Sequence, residues 1–279
     1  MSLESSAEIY QRAIAEYQPY AIVLMMSGGN DSLTAYYVAK KLGIKIDFIL
    51  HINTGTGIAE TTEFVRYFAE SEGIKYIEAS AGDAYENYVL RKGFFGRGHQ
   101  AHNFSYHLLK HQRLVNSISV NIRQRRRSRP VLLLNGARLQ ESENRTRRLN
   151  GNEIRRDNGK SANIWVNLVH HWTKNECQSF LGECDAKRNP VAELLCRSAE
   201  CMCGTMQNQA AREEASYWFP KWGKWLDDLE NRVTQKFPWG WAQETPKSLA
   251  IETQTGQLRL FDYQLQPMCQ DCINHNSLD

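Results

Sequence analysis

AIVLMMSGGNDSLTAYYVAKKLG, running from Ala21 to Gly43, decides the fold. Its first six residues are a short, continuous apolar run, which suits a strand buried on both faces of a parallel sheet. The run ends at Ser27-Gly28-Gly29-Asn30-Asp31, and Ser32 to Leu42 then reads as a helix stopped by Gly43. A strand that passes through two glycines into a helix makes a phosphate cradle. Glycine lets the backbone turn sharply and approach a ligand, while the helix start offers N–H groups and positive potential. Ser27 and Ser32 add hydroxyl donors, and Asp31 suits a magnesium ion held against phosphate oxygens. No lysine closes the loop, so it is neither a Walker loop nor the dinucleotide fingerprint. A plain glycine turn with a serine cap would leave the second serine and the acid without a role.

The pattern continues outward. IDFILHI (Ile46 to Ile52) reads as the next strand, Glu60 to Glu72 as a helix, and IKYIEAS after Gly73 as a third strand. After a long helical stretch, VLLLNGA (Val131 to Ala137) supplies a fourth. Strands alternating with helices imply right-handed crossovers. The expected fold is therefore α/β, a doubly wound, mostly parallel five-stranded sheet. From about Ala186 the texture changes to CRSAECMCGTM, then a helix over Asn208 to Tyr217. Five of the seven tryptophans follow, and Trp218, Trp222 and Trp225 are spaced for one buried helical face. The expected organisation is a nucleotide domain over 1–185 and a small Cys/Trp-rich subdomain over 186–279 packed on it.

Composition bounds the class. The chain has 279 residues, 42% hydrophobic and 23% charged, with a net charge of +3. That is ordinary globular usage with enough length for a large core. No apolar run approaches the roughly 18 residues of a membrane helix. The N-terminus carries Glu4 and Glu8 before any basic residue and has no apolar core, unlike a signal peptide. A cytoplasmic protein is expected.

All seven cysteines lie between Cys177 and Cys272. An odd count without a secretory signal argues against a disulfide framework. Cys177 and Cys184 read as buried thiols. Cys269-Gln-Asp-Cys272 is spaced to chelate one ion from a tight turn, and Cys196 and Cys203 would complete four thiolates. Four thiolates suit tetrahedral zinc or an iron–sulfur cluster, and spacing does not choose between them. Cys201, after Glu200, is then either an alternative ligand or a reactive thiol.

Eleven arginines fall between Arg123 and Arg156. Guanidinium forks grip phosphate oxygens bidentately. A charge run is equally a solvated helix face, and Arg123 to Arg129 stands between these two readings. Arg138 and Arg145 differ, because they follow the strand VLLLNGA at its C-terminal end, where ligands of open α/β sheets bind. Glu141 is spaced to orient Arg138 through an ion pair. His99, His102 and His107 have no cysteine or carboxylate at metal-ligand spacing, which favours phosphate contacts or a helix surface. Lys110 and Arg113 would extend a cationic lip.

Ser-Gly-Gly-x-Asp-Ser resembles the pyrophosphate loop of the ATP pyrophosphatases. HINTGTGIAETTEF (His51 to Phe64) is similar to the Thr-Gly and Glu-Thr segment of phosphoadenylyl-sulfate reductases and their relatives. Gly136-Ala-Arg-Leu-Gln-Glu-Ser-Glu-Asn-Arg145 resembles that family's Gly-x-Arg-x-x-Glu-Ser-x-x-Arg, and Val166 to Leu181 its Trp-Thr helix entry. The matches keep order from residue 20 to about 182. The resemblance implies an adenine nucleotide alpha hydrolase-like fold that binds ATP and Mg2+. Ser27, Gly28, Gly29, Asn30, Asp31 and Ser32 would hold the phosphates. His51, Asn53, Glu60 and Thr61 would lie near the base, and Arg138, Glu141 and Arg145 would contact phosphate. Asp31, Ser32, Arg138 and Cys201 are the expected catalytic residues. Relatives that sulfurate nucleic acids often carry an iron–sulfur cluster, which favours that metal for Cys196, Cys203, Cys269 and Cys272.

Within the superfamily the chain looks like the ATP-pyrophosphatase component of DNA phosphorothioation systems. That implies adenylation of a DNA phosphate oxygen, with Arg123, Arg125, Arg126 and Arg127 on the backbone. A cysteine desulfurase would supply the sulfur, alongside other modification-complex proteins. The alternative is a reductase making sulfite from phosphoadenylyl or adenylyl sulfate. Such enzymes end in Glu-Cys-Gly-x-His, whereas this chain ends CQDCINHNSLD. A non-enzymatic adaptor with a dead nucleotide fold is a third reading, against which the intact Asp31 and both serines count.

Overall fold

The computed structural model describes residues 2–124, 129–141, 151–157 and 162–245. In chain order the elements are α1 (Ser2–Tyr17), β1 (Ala21–Met25), α2 (Asn30–Lys41), β2 (Phe48–Asn53), α3 (Ala59–Ser71) and β3 (Lys75–Ser80). There follow α4 (Ala84–Lys92), α5 (His99–Tyr106) and α6 (Gln112–Ser117), with π-helical turns at His107–His111 and Ile118–Ile122. The remainder is β4 (Val131–Asn135), β5 (Ile154–Arg156), β6 (Asn163–Asn167), α7 (Lys174–Glu183), α8 (Pro190–Leu195), α9 (Gln209–Trp218) and α10 (Pro220–Thr234). The chain forms two compact units, Met1–Gly82 with Lys110–Met202, and Asp83–Leu109 with Cys203–Asp279. Residues 186–202, which composition groups with the Cys/Trp-rich part, thus cluster with the sheet.

The first unit is a six-stranded sheet in the order β3-β2-β1-β4-β6-β5. β1 pairs in parallel with β2 on one side and with β4 on the other, from Ala21↔Val131 to Leu24↔Leu134. The sixth strand beyond the expected five is β5, which runs antiparallel to β6 at the edge. Three residues, two of them exposed arginines, carry no apolar signal to reveal it. β6 lies partly inside the segment read as a helix entry, and the helix itself starts later, at Lys174. There Thr173 accepts from Glu176 N while Glu176 accepts from Thr173 N, a capping box written in the sequence Thr-Lys-Asn-Glu.

Alternation along the strands divides the core into two faces. Leu24, Leu132, Leu134, Ile164 and Val166 pack on one side with Leu33, Phe68 and Leu181 from helices and with Trp172 from the turn before α7. Val23, Met25, Leu50, Val131 and Leu133 pack with Leu114, Ile118 and Ile122 on the other. From β1 the chain first winds outward through β2 and β3, then returns to lay β4 on the opposite side of β1. That reversal opens a crevice at the C-terminal ends of β1 and β4.

In the second unit, aromatic residues make the core. Tyr85 stacks with Phe94, Phe95 and Trp225, and Trp239 Nε1 donates to the Phe94 carbonyl at 2.9 Å. Gly93, at φ +81°, lies against the Trp239 ring, where any Cβ would overlap it. The tryptophans 218, 222 and 225 do not share one helix. Pro220 separates α9 from α10, so Trp218 ends one helix at 47% exposure while Trp222 is buried in the next. No helix among the described residues is long and apolar enough to cross a membrane.

Candidate functional site

The loop after β1 is organised by its own hydroxyls. Gly28 has φ +78°, a left-handed conformation that glycine adopts without strain. Ser27 Oγ accepts from Gly29 N at 3.3 Å and donates to Ser32 Oγ at 3.2 Å. Ser32 Oγ in turn donates to the Gly29 carbonyl at 2.8 Å. The N-cap of α2 is Gly29, which supplies no side-chain acceptor. The first N–H groups of a helix have no intrahelical acceptor, so this start is suited to an anion. Asn30 Nδ2 donates to Glu193 at 3.3 Å, whereas its Oδ1 is buried without a hydrogen-bond partner among the described residues.

Opposite the loop, the end of β4 contributes Gly136 and Arg138. A Cβ at Gly136 would overlap the Asp31 carbonyl and come within 2.7 Å of Ser32 N, so glycine is what lets β4 approach the helix start. Arg138 is 6% exposed, and its Nε donates to Asp31 Oδ1 at 2.9 Å. The loop acid is thus an ion partner of Arg138. The side chain of Glu141, proposed as its partner from spacing, and all of Arg145 lie outside the described residues. Behind the pair, Cys177 on α7 is 1% exposed, and burial, then the charge of Asp31, pushes its thiol up to about 11. Cys184 is raised as well, again chiefly by burial. Cys177 is buried as its sequence reading expects, whereas Cys184 is half-buried.

The end of β2 forms the third wall. His51 is buried, with Nδ1 on the Met26 carbonyl at 2.9 Å and Nε2 on Thr62 Oγ1 at 3.0 Å. A carbonyl can only accept, so Nδ1 carries a proton. The His51 side chain therefore braces the loop against α3. Asn53 donates to Glu78 at 2.9 Å and accepts from Gly55 N at 3.0 Å. Thr61 is fully buried and donates to the Ser198 carbonyl at 2.6 Å, while Glu60, one residue earlier, is exposed.

Sequence reasoning missed the strap over 188–202. Asn189 is fully buried, donates to the Gly28 carbonyl at 3.0 Å and to Thr61 Oγ1 at 3.2 Å, and caps α8 through Val191 N. Asn189-Pro190 is a legible helix start, but nothing local announces its long-range bond to Gly28. Further along, Thr54 Oγ1 donates to the Glu200 carbonyl at 2.8 Å, and Thr56 Oγ1 accepts from Met202 N at 3.0 Å. A Cβ on Gly57 would overlap the Glu200 carbonyl, so the strap lies directly on the β2 loop. Cys201 Sγ accepts from Thr56 Oγ1 at 3.9 Å, and Glu200 is ion-paired with Lys110.

The expectation for Arg123 needs correction. Arg123 is 4% exposed and donates to the Arg129 carbonyl at 2.9 Å and to Asn163 Oδ1, and burial lowers its pKa. It fastens the β4 entry to β6 and does not face a phosphate. Arg125, Arg126 and Arg127 lie outside the described residues. Cys196, Cys201 and Cys203 do not form a three-ligand group among the described residues. Cys196 is exposed at the end of α8, whereas Cys203 is buried, with its thiol on Ser105 Oγ at 3.6 Å and Thr205 Oγ1 at 3.3 Å. Cys269 and Cys272, the other two expected ligands, lie outside the described residues. In the second unit His102 Nδ1 meets Thr205 Oγ1 at 3.4 Å, a bond within the fold.

Among solved structures, the chain is similar to phosphoadenylyl-sulfate reductase from Candida auris in its phosphate complex. That match has 14% identity and TM-score 0.46, covering 68% of this chain and 84% of the other. U34-tRNA thiolase from Methanococcus maripaludis, with its 4Fe–4S cluster, is 15% identical at TM-score 0.42, covering 92% and 88%. NMN synthetase from Francisella tularensis is 15% identical at TM-score 0.42, covering 79% and 94%. No curated protein matches. The sequence model of one family spans residues 21–207, from the first residue of β1 past the strap that closes on the loop. By that match the chain belongs to the phosphoadenosine phosphosulfate reductase domain family.

Proposed function

We propose that this protein is an ATP pyrophosphatase that adenylates a phosphate oxygen of the DNA backbone, preparing it for replacement by sulfur. The observation that carries this reading is the Asp31–Arg138 pair, set across the glycine loop at the crevice between β1 and β4. ATP would lie with its β- and γ-phosphates on the start of α2. The acceptor oxygen attacks the α-phosphorus, the α–β bond breaks, and pyrophosphate leaves as its negative charge grows. Loop N–H groups and the Ser27 and Ser32 hydroxyls are placed for that charge, and such donors are worth on the order of 100-fold in rate each. Magnesium fits Asp31, whose second oxygen makes no hydrogen bond among the described residues, and would share the phosphate charge. Arg138 would then turn from Asp31 to the nucleotide. A sulfur nucleophile finally displaces AMP from the activated acceptor. Cys201, beside the Lys110–Glu200 pair, would carry that sulfur as a persulfide formed by a cysteine desulfurase; its outer sulfur attacks phosphorus as AMP leaves, and a second thiol then cleaves the S–S bond, freeing the phosphorothioate and leaving a disulfide.

The DNA acceptor rests on the arginine-rich stretch after residue 123, less Arg123 itself. The test is pyrophosphate release from ATP with and without DNA, followed by nuclease digestion and mass spectrometry for phosphorothioate linkages. DNA-stimulated release, lost in Asp31→Ala, is expected. The family's own description favours a second reading, reduction of phosphoadenylyl sulfate. Sulfite formation from that nucleotide with a thiol reductant, and no pyrophosphate release from ATP, would replace the first reading with the second.

A further inference from the structure

We infer that Glu153, His170 and His171 form a site for one divalent metal ion of the zinc class at the C-terminal end of β6. A carboxylate oxygen and one ring nitrogen from each histidine lie within 4.8 Å of one another. His171 Nε2 meets Glu153 Oε1 at 2.6 Å, and the two imidazoles meet edge to face with centroids 4.7 Å apart. Ligand atoms on one tetrahedral zinc stand roughly 3.3 Å apart, given bonds of about 2.0–2.2 Å. An ion therefore needs a small opening between Glu153 and His171 and a small closure of any wider pair, and the His171 side chain, 45% exposed, has room to adjust.

The backbone holds all three residues in one knot. Asn167 N donates to the Glu153 carbonyl at 2.9 Å, and His170 N donates to the Asn167 carbonyl at 3.1 Å. Arg12 pairs with Glu153 through Oε2, which leaves Oε1 directed at His171. A ligating carboxylate oriented by a hydrogen bond to its other oxygen is a usual outer shell of metal sites. A surface ion-pair chain Arg12–Glu153–His171 would explain two of the three residues, but not His170. That ring is 1% exposed, and its Nδ1 is buried without a hydrogen-bond partner among the described residues. Buried polar atoms seldom stay unpaired unless an ion or water serves them.

The donor set decides the class of ion. Two imidazoles and a carboxylate favour zinc, cobalt or nickel over magnesium and calcium, and without thiolate they do not suit copper(I) or iron–sulfur chemistry. Three protein ligands leave a position for water. The His170 carbonyl accepts from Leu139 N at 2.9 Å, so an ion here would also stiffen the turn behind Arg138.

The experiment uses the full chain, stripped with a chelator and titrated with Co2+ and then Zn2+. The expected result is a visible d–d band, about one cobalt per chain, without thiolate-to-cobalt charge transfer at this site, and displacement by zinc. His171→Ala and Glu153→Gln should each weaken that band's titration at least tenfold, and zinc should raise the melting temperature of the parent protein but not of His171→Ala. The exposure of His171 makes its variant safe for folding. Uptake by both variants with the parent spectrum and affinity, or cobalt signals of thiolate character alone, would overturn the assignment.

Discussion

At the scale of single residues, Asp31 has two duties that can be separated. It holds Arg138 through Oδ1, and in the proposed reaction it holds magnesium with the rest of its charge. Asn in its place keeps an acceptor for Arg138 and removes the charge, so Asp31→Asn should stay within about 1 kcal/mol of the parent in urea unfolding. Pyrophosphate release should fall by two orders of magnitude or more. Unchanged release in the folded variant would take Asp31 out of the chemistry. The cysteines make a second test at this scale. The Cys177 thiol, raised to about 11, is almost wholly protonated at pH 8 and is also out of reach. Iodoacetamide followed by peptide mapping should label exposed Cys196 and leave Cys177 unmodified until the protein unfolds. Early labelling of Cys177 would mean that α7 opens far more readily than its packing implies.

At the scale of elements, what was legible follows the range of the forces. β1, α2, β2, α3, β3 and β4 could be read because strand burial, glycine stops and helix periodicity are local patterns. Ser27 to Ser32 could be read for the same reason, as a loop whose job is written in consecutive residues. β5 could not, since a three-residue edge strand exists only through its pairing with β6. Nor could the pairing of Arg138 with Asp31, 107 residues away, since nothing along the chain marks it. Asn189 is the sharpest case. One amide ties the Gly28 carbonyl, Thr61 and the start of α8 together, so Asn189→Ala removes a helix cap and strands a buried carbonyl. Each loss costs on the order of 1 kcal/mol or more, so thermal unfolding should drop by several degrees. Because Gly28 lies in the loop, the KM for ATP should rise more than kcat falls. A variant with lowered stability and an unchanged KM would show that the strap supports the fold without shaping the nucleotide site.

At the scale of the whole molecule, the charge is nearly balanced at +3, so general attraction to a polyanion is weak. The proposed DNA binding would then come from where arginine is concentrated. Two members of the stretch already have structural work: Arg123 is buried against Asn163, and Arg138 faces Asp31. In the proposed reading, Arg125, Arg126 and Arg127 are the consecutive cations that would grip successive phosphates, positioning a strand without reading its bases. Each phosphate contact releases counterions and adds about 0.9 to the slope of log affinity against log salt. Replacing all three with glutamine should lower that slope by up to about three on duplex DNA. Arg123→Gln should leave the slope alone and lower the melting temperature instead, since it breaks a buried hydrogen bond between the β4 entry and β6. Fluorescence anisotropy across a salt series, run beside thermal melts, separates the two effects. If the triple variant keeps the parent slope, the acceptor is not held by this stretch, and a small sulfonucleotide becomes the better account of what the crevice beside Asp31 takes in.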